Sequence, residues 1–89
     1  MNKDSFVTLY VYKWCGYSKL AMDLCKQYKL KHKVHDMDKL GGKEHVISEL
    51  KKNKHIARNS RHTTAPIVFI DAKFIGGCDK LQAVIAKMK

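Results

Sequence analysis

Lys13-Trp14-Cys15-Gly16-Tyr17-Ser18 stands between a run of apolar β-formers, Phe6 to Tyr12, and a segment of helical apolar spacing, Lys19 to Tyr28. A cysteine at such a strand-to-helix junction lies beside backbone N–H groups that lack partners within the helix. It also lies at the positive end of the helix dipole, and both effects favour a thiolate over a thiol. Lys13, two residues upstream, adds a full positive charge. The sequence therefore marks Cys15 as a low-pKa nucleophile, against the plainer alternative of a buried cysteine acting as a small hydrophobe.

Working outward, Phe6-Val7-Thr8-Leu9-Tyr10-Val11-Tyr12 is β-branched and aromatic, which predicts a central strand buried on both faces. Downstream, Leu20, Ala21, Leu24, Cys25 and Tyr28 recur at helical spacing, with Lys19, Asp23, Lys26 and Gln27 on the opposite side. Cys25 falls on the apolar stripe and is expected in the core. Val34 to Met37 reads as a short second strand after the charged stretch Lys29 to Lys33. Gly41-Gly42 breaks the chain, and Glu44 to Asn53, with Val46, Ile47 and Leu50 on one side, reads as a second helix.

Lys54 to Thr64 has no apolar period and reads as the end of that helix plus a loop. Pro66, the sole proline, precedes the apolar strand Ile67-Val68-Phe69-Ile70, a position that proline tolerates. Asp71-Ala72 makes a tight turn into Lys73-Phe74-Ile75, which Gly76-Gly77 ends. A last helix from Asp79 to Lys87 buries Leu81, Val84, Ile85 and Met88, with Asp79 as its capping residue. The order is β-α-β-α-β-β-α. A parallel first pair joined by a right-handed crossover and a terminal hairpin give an α/β fold, a four-stranded mixed sheet with helices packed on both faces.

A chain of 89 residues is too small to divide its core, so residues 1–89 are expected to form one domain. Its 45% apolar and 29% charged residues are those of an ordinary globular protein. No segment approaches the ~20 apolar residues needed to cross a bilayer, and Met1-Asn2-Lys3-Asp4-Ser5 holds no hydrophobic signal core. A cytoplasmic protein without a membrane partner is expected. Three cysteines, Cys15, Cys25 and Cys78, are too few and odd in number for a secreted disulfide scaffold, and they favour redox or catalytic use. The net charge of +10 is spread along the chain, with Lys51 to His62 the nearest thing to a cluster. That favours a solvated basic surface attracting anionic substrates over a dedicated nucleic-acid site. The five histidines lack metal-ligand spacing, so no structural metal is expected.

Three separated motifs agree with one another. Lys13 to Ser18 after the first strand, Thr64-Ala65-Pro66 before the third and Gly76-Gly77-Cys78-Asp79 after the fourth together resemble the three signatures of a glutaredoxin. The resemblance implies a thioredoxin-like fold, glutathione as co-substrate and glutathionylated proteins as partners. It implies that Cys15 is the catalytic nucleophile and that Lys13 pairs with the glycine carboxylate of glutathione while depressing the pKa of Cys15. Tyr17 would lie along the tripeptide. Pro66, through a cis bond, would turn the Ala65 backbone toward the ligand, with Thr64 beside it. The N–H groups around Gly77, Cys78 and Asp79 would hold the γ-glutamyl carboxylate, and the Asp79 side chain the ammonium.

The departures from the pattern shape the expected chemistry. Ser18 stands where dithiol members have a second cysteine, so Cys15 has no partner in a C-x-x-C disulfide. The resemblance then implies reduction of protein–glutathione mixed disulfides through one cysteine, with Ser18 a hydrogen-bond donor to the thiolate and Cys78 an alternative resolving cysteine. Ala65 replaces the usual valine. Thr63 stands where many members carry a cation, which Arg61 or His62 would supply from the loop. An alternative reading is a carrier of a [2Fe-2S] cluster, bound between two subunits by Cys15 of each and two glutathiones. Gly16 and Ser18 favour it; Tyr17 and Trp14 do not. A monomer is expected otherwise, and a dimer if a cluster is bound. A further alternative is a basic nucleic-acid-binding adaptor on a thioredoxin-like scaffold, which would outlive the loss of Cys15.

Overall fold

Val7, Leu9 and Val11 are fully buried along β1 (Phe6–Val11), whereas Phe6 is exposed and Thr8 and Tyr10 are half-buried. This computed structural model describes residues 4–60, 62 and 64–88, with the side chain of Met88 left out. The burial of β1 on both faces expected from its composition is thus complete on one face only. Its odd-numbered residues meet two helices, α1 (Gly16–Gln27) and α3 (Cys78–Met88), while the other face meets the shorter α2 (Lys43–Lys52).

The sheet runs β2-β1-β3-β4, with β2 (Lys31–Asp36) parallel to β1 and both β3 (Ile67–Ile70) and β4 (Lys73–Gly76) antiparallel to their neighbours. It is the expected four-stranded mixed sheet with helices on both faces. β2 starts at Lys31 rather than Val34. Backbone pairing extends it: Phe6 faces Lys31 and Val11 faces Asp36, so the ladder continues although Lys-His-Lys offers no apolar alternation. It also stops one residue early, because Met37 opens a 3-10 turn (Met37–Leu40) whose first turn is capped by Asp36, the carboxylate accepting the Asp38 N–H at 3.0 Å. Gly41 closes that turn in the left-handed conformation, φ 96°.

Asp71 and Ala72, at φ 51° and 69°, form the turn between β3 and β4. Asp71 also ties the sheet together. Its amide donates to the Phe6 carbonyl and its carboxylate accepts the Phe6 N–H, both at 2.9 Å. At the other end of the hairpin, α3 begins one residue before its expected start. The Leu81 N–H donates to the Gly77 carbonyl at 3.2 Å, so Gly77 holds the cap position expected of Asp79. Asp79 lies instead in the first turn, where its charge complements the helix dipole.

Two apolar clusters sandwich the sheet. Val7, Leu9, Val11, Val68 and Ile70 pack with Ala21, Cys25, Leu81 and Ile85, which places Cys25 in the core as expected. Ile67 and Phe69 pack on the opposite face with Met37, Val46, Ile47, Leu50 and Ile56. Val84 is only partly buried, and the expected burial of Met88 falls outside the described residues. Each fully buried aliphatic side chain contributes roughly 1.5–3 kcal/mol relative to exposure, so these clusters rather than helix propensity hold α1 and α3 in register over the sheet. Among the described residues, no helix is long and apolar enough to cross a membrane.

Candidate active site

The chain leaves β1 at Val11 and turns at once into α1. The Cys15 N–H donates to the Tyr12 carbonyl at 3.0 Å, and the Cys15 carbonyl accepts the first helical bond, from Lys19, at 3.0 Å. Cys15 itself is extended, φ −85° and ψ 127°, at the cap position of α1. Its sulfur therefore faces amides of the first turn that the helix leaves unpaired. The thiol is held below the ordinary cysteine value, chiefly by the Ser18 N–H; partial burial opposes this, and the Ser18 hydroxyl and Tyr17 N–H add to it. Ser18 is fully buried and its Oγ accepts the Tyr12 N–H at 3.2 Å. The serine expected to meet the thiolate is thus built into the wall behind it.

The downward pull on Cys15 comes from amides and a hydroxyl. Lys13 lines a separate groove with Met22, Lys26 and Val34.

The remaining motif residues come together. Tyr17 of α1, Thr64 and Ala65 before β3, and Gly77, Cys78 and Asp79 at the start of α3 line one cleft of about 280 Å³. The Ala65–Pro66 bond is cis and Pro66 is buried behind the cleft. Gly77 lies close to three groups: a Cβ there would make ordinary van der Waals contact with His62 Cε1 at 3.4 Å, Asp79 Oδ1 at 3.5 Å and the Pro66 carbonyl oxygen at 3.6 Å. His62, the neighbour of Gly77, is edge-on to Phe74 at 5.3 Å, and its Nε2 is buried without a hydrogen-bond partner among the described residues. Arg61, the other cation expected from this loop, and Thr63 lie outside the described residues.

The three cysteines are free thiols in three different settings. Burial pushes Cys78 up, and the charges of Asp79 and Cys15 push it further. Burial raises Cys25 to about 11, with Cys78 adding to it. Only Cys15 is moved toward the thiolate.

One contact had no signal in the sequence. Trp14, 69% exposed beside Cys15, stacks on Tyr12 at 4.7 Å and donates its indole N–H to Asp38 Oδ2 at 3.1 Å. The Tyr12 hydroxyl in turn accepts the Lys43 N–H at the start of α2. The loop before the nucleophile is therefore tied to the 3-10 turn and to α2.

A mixed sheet with a partly exposed, amide-stabilised cysteine at the start of its first helix is the thioredoxin-like arrangement. The glutaredoxin family model matches residues 7–75, and the chain belongs to the glutaredoxin family. It is 33% identical over 82 residues to a probable glutaredoxin of Acanthamoeba polyphaga mimivirus, covering 90% of this chain and 76% of that one. It is 32% identical over 75 residues to monothiol glutaredoxin-S10 of Oryza sativa subsp. japonica, covering 84% of this chain but only 43% of the rice protein. Among solved structures, the holo form of glutaredoxin C1 from populus tremula x tremuloides superposes with a TM-score of 0.71 at 29% identity, covering 91% of this chain and 74% of that one.

Proposed function

We propose that the protein is a glutathione-dependent oxidoreductase that reduces protein–glutathione mixed disulfides in the cytoplasm with Cys15 as its one attacking sulfur. The observation that carries this reading is the pairing of an amide-stabilised Cys15 with the cleft of Tyr17, Thr64, Ala65, Gly77, Cys78 and Asp79, in a chain whose residue 18 is serine. Glutathione carries two carboxylates, one ammonium and a sulfur. The amides at the start of α3 suit the γ-glutamyl carboxylate, the Asp79 side chain suits the ammonium, and the Ala65 backbone and Tyr17 ring suit the extended peptide. Lys13, two residues before Cys15, is assigned the glycine carboxylate.

In the first step the Cys15 thiolate attacks the glutathione sulfur of the mixed disulfide. A Cys15–glutathione disulfide forms, and the client thiolate leaves and takes up a proton. In the second, the thiolate of another glutathione attacks that sulfur, giving glutathione disulfide and restoring the Cys15 thiolate. Burial and the charge of Asp79 raise the Cys78 pKa, which favours a second glutathione over Cys78 for the resolving step. The test is turnover of a glutathionylated peptide by the parent, Cys15→Ser and Cys78→Ser proteins. Loss with the first and near-parental turnover with the second is expected; turnover surviving Cys15→Ser overturns the proposal. Non-reducing peptide mapping checks Cys78 directly, and a dominant Cys15–Cys78 disulfide during turnover would make it the resolving cysteine.

A second reading, cluster carriage, is favoured by the open space around Gly16, where a Cβ would meet nothing within 4 Å. Among the described residues no three His, Cys, Asp or Glu side chains gather as a metal site. One chain thus offers Cys15 alone, and a second copy and two glutathiones would have to supply the other sulfurs of a [2Fe-2S] centre. Anaerobic reconstitution with iron, sulfide and glutathione distinguishes the readings: a coloured dimer supports carriage, a colourless monomer the oxidoreductase.

A further inference from the structure

The expected glutathione cleft leaves a second depression without a role. Val34 of β2 lies opposite Leu9 of β1 on the same sheet face, yet Leu9 is fully buried and Val34 is 36% exposed. The helix cover on that face stops between the two strands. A groove of about 460 Å³ opens there, between α1 and the outermost strand.

Its lining combines two kinds of surface. Met22, Val34 and Leu40 are apolar, and Lys13, Lys26 and Lys39 are cationic. The single carboxylate that lines it, Asp36, already accepts the Asp38 N–H. Beyond the groove the edge strand exposes Lys31 and Lys33. An open strand edge fringed with lysines repels cationic strands and admits acidic ones. The groove lies close to the nucleophile along the chain, since Lys13 is two residues before Cys15. Lys13 lines the groove and Tyr17 lines the glutathione cleft, so Cys15 stands between residues that belong to different depressions.

We propose that this groove docks an extended, acidic segment of the client protein beside Cys15, an inference that rests on the function proposed above. The apolar floor takes the intervening side chains, and Lys26 and Lys39 take the carboxylates. A nucleic acid fits less well. Its phosphates call for a continuous cationic track, whereas this lining mixes its lysines with Met22, Val34 and Leu40.

The experiment compares glutathionylated peptides that differ only in the residues flanking the cysteine, acidic in one and their neutral amides in the other. Proteins are the parent, Lys26→Glu/Lys39→Glu, and a charge-matched control, Lys52→Glu/Lys87→Glu, whose exposed lysines lie outside the groove. The parent is expected to prefer the acidic peptide by about tenfold in kcat/KM, and the groove variant to lose that preference while the control keeps it. Turnover of a small glutathione mixed disulfide should be unchanged in all three. Equal turnover of the two peptides by the parent, or equal losses in both variants, overturns the groove. Failure of the parent on the small disulfide overturns the oxidoreductase reading alone. Titration of a cysteine-free acidic peptide, followed by Trp14 fluorescence, then still decides the docking: binding lost with Lys26→Glu/Lys39→Glu supports it, and no binding overturns it. An oligonucleotide that displaces the peptide and binds more tightly also overturns it.

Discussion

Ser18 Oγ accepts the Tyr12 N–H at 3.2 Å, so one buried hydroxyl joins the exit of β1 to the first turn of the helix that carries Cys15. The same residue stabilises the thiolate through its own N–H and, more weakly, through its hydroxyl. Ser18→Ala keeps the amide and loses the hydroxyl. The pH midpoint of Cys15 alkylation should therefore move up, yet stay below that of free cysteine, and the orphaned Tyr12 N–H should cost about 1–3 kcal/mol. Iodoacetamide rates against pH and urea unfolding measure the two effects. An unmoved midpoint would assign the whole shift to backbone.

Cys25 gives a stability that depends on pH in the opposite sense from acid denaturation. Its folded pKa is raised to about 11 from an ordinary 9.0, so the unfolded chain loses this proton first as pH rises. The contribution is whole below 9.0 and is lost progressively up to about 11. Cys78, also raised, adds in the same direction. The fall in Tm across that window should be shallower for Cys25→Ala than for the parent, although the substitution lowers Tm at neutral pH by leaving a cavity. Parallel curves for the two proteins would place the alkaline loss elsewhere.

Asp36 and Asp38 hold the turn that steadies Trp14. Asp36→Ala removes a side-chain cap and should cost about 1 kcal/mol. Asp38→Ala removes only an exposed contact to the indole and should stay within about 0.5 kcal/mol. Both should change Trp14 emission, the sole tryptophan signal, because both release the ring from the 3-10 turn. Emission identical to the parent in both variants would show the indole to be held by Tyr12 alone.

Leu9 and Val34 are cross-strand neighbours that should respond very differently to truncation. Leu9→Ala empties a fully buried site and should cost about 2–5 kcal/mol. Val34→Ala, on the uncovered part of the same face, should cost about 0.5 kcal/mol. Equal losses in chemical denaturation would mean that α1 covers β2 after all.

Strand β3 could be read in full because Pro66 and Asp71 punctuate four consecutive apolar residues, and the cleft could be read because its three motifs meet only if the sheet orders itself as their spacing implies. The start of β2 could not. Lys31, His32 and Lys33 carry no strand pattern of their own, and a partner strand supplies the ladder. The amide source of the Cys15 shift was legible, because a cysteine at a strand-to-helix junction faces the free N–H groups of the first turn. Lys13, expected as a second source, lines another groove. The bond from Trp14 to Asp38 joins residues 24 apart and left no trace in either segment's periodicity.

The complete burial of Ile67-Val68-Phe69-Ile70 has a consequence away from the site. Any opening that frees β3 from its neighbours presents four contiguous sticky residues to other chains, guarded on one side by a ring lacking an amide hydrogen and on the other by a negative charge. Destabilised variants should therefore be lost to precipitation before they are lost to reversible unfolding, and their yield should fall faster than their thermodynamics alone would indicate.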